Sequence, residues 1–187
     1  MLNNEFLTNL AVRSLREPIY PDPRFPPSPY YRFFRLLAQE FRPSLSVELG
    51  VCGGGGGFHL ALGNPEGNVI GVDLTKVEYE EHIRYIEEHC DNYFFLEKDS
   101  VLASLEIFEH FGAIDILFID TIHTYERTLI EFNAFRPYMS DKYVICLDDL
   151  LRPGMEEAWK ELPGNKLRLD FLHPGSTEGG FGIIYGP

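Results

Sequence analysis

Asp120, His123, Asp148 and Asp149 are the residues of this chain best suited to move a proton or hold a cation. Ile119-Asp120-Thr121-Ile122-His123 closes one short apolar run, and Leu147-Asp148-Asp149 closes another. If those runs are neighbouring parallel strands, about 4.8 Å apart, their terminal carboxylates converge within a few ångströms. Carboxylates that close must protonate, find basic partners or bind a cation. All-oxygen donors favour a hard divalent ion, Mg2+, Mn2+ or Ca2+, which makes Asp120, Asp148 and Asp149 the candidate metal ligands. The plainer alternative is an aspartate capping a helix and another facing solvent. His123 stands where a helix would begin. Its ordinary pKa suits a general base, and a helix N-terminus or nearby cation favours the neutral imidazole. A solvated or capping histidine is the alternative.

A second group of acids surrounds a glycine turn. Val47-Glu48-Leu49-Gly50-Val51-Cys52 is followed by Gly53 to Gly57. Glycines there let backbone amides approach a ligand. Close strand–helix packing would account for one or two of them, so the run is read as a ligand loop. A dinucleotide fingerprint would read G-x-G-x-x-G; Gly53 and Gly55 fit its start, but Phe58 stands at its last place. No phosphate loop ending in Lys-Ser or Lys-Thr is present. Glu48 before the turn repels a pyrophosphate and suits a cationic or amino-bearing ligand. Asp73 ends the next run, where an acid commonly meets ribose hydroxyls, and Asp99 follows the third, placed to accept from an exocyclic amine. The pattern suits a nucleoside without phosphates.

These residues need a scaffold that brings strand ends together. Apolar runs at 45–49, 68–73, 93–98, 114–120 and 143–149 have the continuous character of strands buried on both faces. Helical segments near 78–90, 100–111, 123–136 and 154–161 alternate with them, the signature of a doubly wound α/β fold with a mostly parallel sheet. The tail from Leu167 reads as two strands around a Pro/Gly turn, an antiparallel hairpin closing the sheet. Residues 44–187 form the main domain. Residues 1–43 form an extension: a short amphipathic helix with Leu2, Phe6, Leu7 and Leu10 on one face, a Pro-rich stretch from Pro18 to Pro29, and a helix from Tyr31 to Phe41. The Pro-rich stretch, with Tyr20, Phe25 and Tyr30, is either a packed strap or a lid over a cleft. Exposed aromatics in this region suit a homodimer contact.

Composition narrows the partners. Sixteen Lys+Arg against 29 Asp+Glu give a formal net charge of -13, which argues against a nucleic-acid partner. With 44% apolar and 14% aromatic residues, the chain can bury a core. Cys52, Cys90 and Cys146 form neither a disulfide framework nor a zinc knuckle. No apolar run is long enough to cross a bilayer and no signal-peptide pattern opens the chain, so a cytoplasmic location is expected.

Val47-Glu48-Leu49-Gly50-Val51-Cys52-Gly53-Gly54, then Asp73, then Asp99, resembles the cofactor half of class I S-adenosylmethionine-dependent methyltransferases, with their Rossmann-like seven-stranded sheet. The resemblance spans about residues 44–187. It implies Glu48, Gly50, Val51, Cys52, Gly53, Asp73, Leu74, Asp99, Ser100 and Asp120 as cofactor contacts. In it Gly50 and its neighbours pass under the methionine part, Asp73 holds the ribose and Asp99 the adenine amine, while Glu48 orients the loop or the ligand ammonium. The Asp120 segment with Asp148-Asp149 resembles metal-dependent catechol-type O-methyltransferases and, more closely, the cephalosporin-hydroxylase-like and rhamnosyl O-methyltransferase-like group. It implies transfer to a hydroxyl of a small molecule (sugar, phenol or other natural product), with Asp120, Asp148 and Asp149 on a divalent cation and His123 and Asp120 as catalytic residues. Gly56 departs from that pattern, which usually has a hydroxyl residue there. A nicotinamide-dependent oxidoreductase, sharing the glycine turn and Asp73, and a non-catalytic S-adenosylmethionine-binding protein are the alternatives.

Overall fold

A computed structural model describes residues 2–16, 24–25, 28–174 and 176–186. Five strands, β1 (Leu45–Leu49), β2 (Asn68–Asp73), β3 (Tyr93–Glu97), β4 (Ile114–Ile119) and β5 (Met139–Leu147), run parallel. Two short strands, β6 (Asn165–Arg168) and β7 (Gly182–Tyr185), complete a seven-stranded sheet in the order β3-β2-β1-β4-β5-β7-β6. β7 lies antiparallel to both of its neighbours. The expected doubly wound sheet with a closing hairpin is therefore the observed fold. The first tail strand sits slightly upstream of Leu167–Leu172; Asp170–Leu172 is a 3-10 turn, whose Asp170 pairs with Arg168.

Alternation along each central strand supplies two cores. Ile116 and Phe118 of β4, with Val144 and Cys146 of β5, face one layer; Leu117 and Ile119, with Ile145 and Leu147, face the other. The second layer comprises α5 (Ser100–Phe111), α6 (Tyr125–Phe135) and α7 (Met155–Glu161). The first comprises α1 (Asn4–Ser14), α2 (Pro29–Phe41), α3 (Gly55–Gly63) and α4 (Glu80–His89). Pro29 sits in the first turn of α2, where its missing N–H costs nothing.

Residues 28–43 thus share the sheet's core. Phe33 and Phe34 are fully buried, with ring centroids 5.8 Å from Phe181 and 4.5 Å from Phe118 respectively. Most of the Pro-rich stretch expected as strap or lid lies outside the described residues. Phe25 within it is buried and stacks on Phe58, centroids 4.6 Å apart. Among the described residues no helix is long and apolar enough to cross a membrane, and Cys52, Cys90 and Cys146 are all free thiols.

Candidate functional site

The strand alternation that buries Val47 and Leu49 on one face turns Glu48 toward α3. There its Oε2 accepts the Gly57 N–H at 2.9 Å. Burial pushes the Glu48 pKa well above its ordinary value, and the negative charge of Asp120 and Asp73 adds to that; the amides of Gly57 and Gly56 pull the other way. Of the two roles expected for Glu48, orienting the loop is the one its hydrogen bonds perform. The glycine run has the same cause. A Cβ at Gly55 would lie 2.4 Å from the Tyr31 ring, and Cβ atoms at Gly56 and Gly57 would lie 2.3 and 2.7 Å from the Glu48 carboxylate. Packing thus explains more of these glycines than the sequence suggested. They make room for protein side chains beneath the loop.

A raised carboxyl pKa makes the sign of the pH effect definite. Folded Glu48 retains a proton that the unfolded chain releases above about pH 4.5, so its stabilising contribution is lost as pH rises through the folded value. Glu48→Gln, neutral at every pH, should gain in Tm relative to wild type as pH rises above about 4.5. A constant Tm difference across that rise in thermal denaturation would refute this state of Glu48.

At the carboxyl ends of β1, β2 and β4 lies a cavity of about 310 Å³. Gly50, Cys52, Asp73, Leu74, Asp99, Ser100 and Asp120 line it, as do Val72, Lys98, Thr121, Ile122 and Arg127, which the sequence did not single out. Glu48, Val51 and Gly53 do not. Asp73 Oδ2 accepts the N–H groups of Val51 at 2.9 Å and Cys52 at 3.1 Å, while its Oδ1 takes that of Leu74 at 2.7 Å. Asp73 therefore shapes the loop as well as facing the cavity. Asp99 caps α5, its Oδ1 accepting from Val101 and Leu102, and its Oδ2 pairs with Arg127 at 3.0 Å. Desolvation opposes ionisation of Asp99, but hydrogen bonds from Arg127 and the two amides outweigh it and hold the carboxyl below its ordinary range.

On the other side of Asp120 the expected acidic cluster forms. Asp120 Oδ1 meets His123 Nε2 at 3.0 Å, and His123 Nδ1 lies 3.5 Å from Asp149. Asp149 adopts φ 53° at the turn after β5 and pairs with Arg152 at 2.6 Å. Asp148, buried, faces His173 Nε2 at 2.8 Å. Burial raises the Asp120 pKa well above the ordinary carboxylate value, reinforced by Asp148 and Asp149. Burial lowers that of His123, against the pull of Asp149. For His173, burial opposes the charged form, but the adjacent Asp148 carboxylate and the charge of Asp149 outweigh it, and the pKa rises.

His173 carried no signal in the sequence, since it lies in the β6–β7 connection, 25 residues after Asp148; only the sheet closure brings the two together. Tyr30 of α2 stacks on it, centroids 4.6 Å apart and 21° between planes. His59 is structural: its Nδ1 bonds the Gly55 carbonyl at 2.8 Å and its ring stacks on Tyr31. The Tyr125 hydroxyl is engaged by Glu161 at 2.5 Å.

The fit of a cation to this cluster can be judged from its partners. Among the described residues no group of three or more His, Cys, Asp or Glu side chains is arranged to hold a metal. Asp120, Asp148 and Asp149 converge; His123 hydrogen-bonds Asp120, while His173 and Arg152 lie at ion-pair distance from Asp148 and Asp149. Asp148 Oδ1, His173 Nε2 and Arg152 Nε make no hydrogen bond among the described residues. Of the fates open to crowded carboxylates, ion pairing is seen at Asp148 and Asp149, and a raised pKa, favouring protonation, at Asp120.

Five parallel strands, an antiparallel β7 inserted between β5 and β6, and a carboxyl-edge cavity rimmed by acids define the Rossmann-like fold of class I S-adenosylmethionine-dependent methyltransferases. A family model described as a methyltransferase domain matches residues 47–150, and the chain belongs to that family. The fold is similar to that of the O-methyltransferase from Bacillus cereus in complex with SAH, at 15% identity and a TM-score of 0.68, covering 100% of this chain and 93% of that one. It is also similar to the O-methyltransferase TomG from Streptomyces achromogenes, involved in tomaymycin synthesis and solved with SAM, at 15% identity and a TM-score of 0.64, covering 100% and 92%. No curated protein matches by sequence.

Proposed function

We propose that the chain transfers a methyl group from S-adenosylmethionine to a hydroxyl oxygen of a small molecule, with His123 and Asp120 as its acid–base pair. The observation that carries this reading is the double position of Asp120, which lines the cavity and also holds His123 Nε2 at 3.0 Å. The cofactor, when bound, supplies an electrophilic methyl group on a sulfonium. Gly50, Asp73 and Leu74 would form the wall that orients it, and Asp120 brings the base to the same edge. Burial keeps His123 neutral, the form that accepts a proton. The pair would accept the proton that the acceptor hydroxyl gives up on methylation. Near-attack positioning supplies much of the remaining acceleration. Arg152 on Asp149 and His173 on Asp148 offset the neighbouring negative charge. The solved O-methyltransferases of like fold support an oxygen acceptor.

Calorimetric titration tests the cofactor half: S-adenosylhomocysteine should bind, and no heat at millimolar ligand would overturn the reading. NAD(P)H, by contrast, should give no fluorescence change.

A second reading, assistance by Mg2+, Mn2+ or Ca2+ on Asp120, Asp148 and Asp149, is favoured by the convergence of the three carboxylates, whose mutual charge adds to the effect of burial on the Asp120 pKa. It requires these carboxylates to exchange their present basic partners for the cation. Turnover that survives EDTA and does not respond to added Mg2+ supports the histidine-served site; turnover lost in EDTA and restored by the cation supports the second reading.

A further inference from the structure

The cavity's far end is organised by a residue that faces no solvent at all. Glu131 of α6 is 0% exposed, and its two oxygens serve three cavity-lining residues on three different segments. Oε1 accepts Arg127 Nε at 2.8 Å and the Ser100 hydroxyl at 2.5 Å; Oε2 accepts the Thr121 hydroxyl at 2.6 Å. Arg127, one helical turn before Glu131, then reaches Ser100 Oγ at 2.5 Å and Asp99 Oδ2 at 3.0 Å with Nη2. Helix α6, the β4–α6 turn and the start of α5 are joined through this one set of hydrogen bonds.

A buried ion pair contributes little net stability compared with apolar side chains of the same volume, so stability alone is a weak reason for this arrangement. Its geometric effect on Asp99 is specific. A carboxylate offers about four lone-pair sites. The amides of Val101 and Leu102 take two on Oδ1, and Arg127 takes one on Oδ2. One site on Oδ2 is left. The rigid fork of Arg127, itself anchored to Glu131, sets its direction.

We infer that Arg127, held by Glu131, is a positioning residue that aims the free lone pair of Asp99 at the exocyclic amine of the bound nucleoside and so makes the cavity selective for an adenine base. This rests on the methyltransferase reading, and it concerns base selectivity rather than methyl transfer.

The experiment compares calorimetric Kd values for S-adenosylhomocysteine and for its deaminated analogue S-inosylhomocysteine, in which a carbonyl replaces the amine. Wild type should prefer the adenine form by about tenfold or more, the worth of one charge-assisted hydrogen bond. Arg127→Met and Arg127→Lys should bring that ratio to within about threefold, because neither holds Asp99 and Glu131 together. A variant that merely loosens the fold weakens both ligands alike and leaves the ratio unchanged. A wild-type ratio near one, or a ratio preserved in the two variants, overturns the inference. Failure of wild type to bind either ligand instead overturns the methyltransferase reading. Should Arg127→Met not fold, Arg127→Lys, which retains the charge, carries the same decision.

Discussion

Replacing His123 by glutamine lowers kcat by about 100- to 10,000-fold, the usual range for a positioned general base. The Kd for S-adenosylhomocysteine stays within about twofold, because the lost interaction belongs to the transition state and not to cofactor binding. Glutamine still reaches Asp120 with a hydrogen bond but has no basic nitrogen. The pH profile supplies an independent check. Burial disfavours the imidazolium of His123 and lowers its pKa below the ordinary 6.5, so the neutral base persists on acidification. The acid limb of the kcat profile in the wild type should therefore fall below pH 6.5, and the glutamine variant should lose that limb. Steady-state kinetics across pH decides the matter; a variant with wild-type kcat would remove His123 from the chemistry.

Gly50→Ala should be more damaging than any other single methyl addition on the site. Gly50 has φ +82°, and an added Cβ would lie 2.2 Å from the Asp120 carbonyl oxygen and 2.9 Å from Thr121 Cα. Left-handed strain and overpacking together cost about 3 kcal/mol or more. For a chain of this size that corresponds to a fall in Tm of roughly 6–12 °C. The clash is with backbone, so it relaxes only if the ends of β1 and β4 separate. That movement carries Asp120 away from the cavity, and a displacement of about 1 Å can lower the rate about 100-fold. Differential scanning calorimetry and kcat at saturating cofactor measure the two effects. Wild-type Tm and activity would show that the strand ends yield without consequence.

Much of this site was legible before any coordinates, for a reason that particular residues make plain. Asp73, Asp99, Asp120 and Asp148 each follow an apolar run of period too short for a helix, and in a parallel sheet all such ends lie on one edge. The runs at 45–49 and 68–73 match β1 and β2 to the residue, and α5 begins at Ser100 because Asp99 caps it. Other features resisted that reading. The glycine run looked like a ligand loop, yet Gly55, Gly56 and Gly57 answer to Tyr31, Glu48 and Tyr93, which are far apart in the chain. The start of β5 at Met139 was missed because Ser140, Asp141 and Lys142 carry no apolar signal.

What the amino-acid order determined by itself was the strand–helix alternation and the acids at the strand ends, since burial periodicity and capping are local. The tertiary structure alone decided who meets those acids. His173 arrives at Asp148 from the β6–β7 connection, Tyr30 covers His173 from α2, and Glu131 draws Arg127, Ser100 and Thr121 together from α6. Tyr30 and His173 are 143 residues apart in the chain, and pairing across such distances follows from how the layers pack. Crowded carboxylates left their own fate open among proton, base and cation; the bases that packing supplies are what distinguish this cluster.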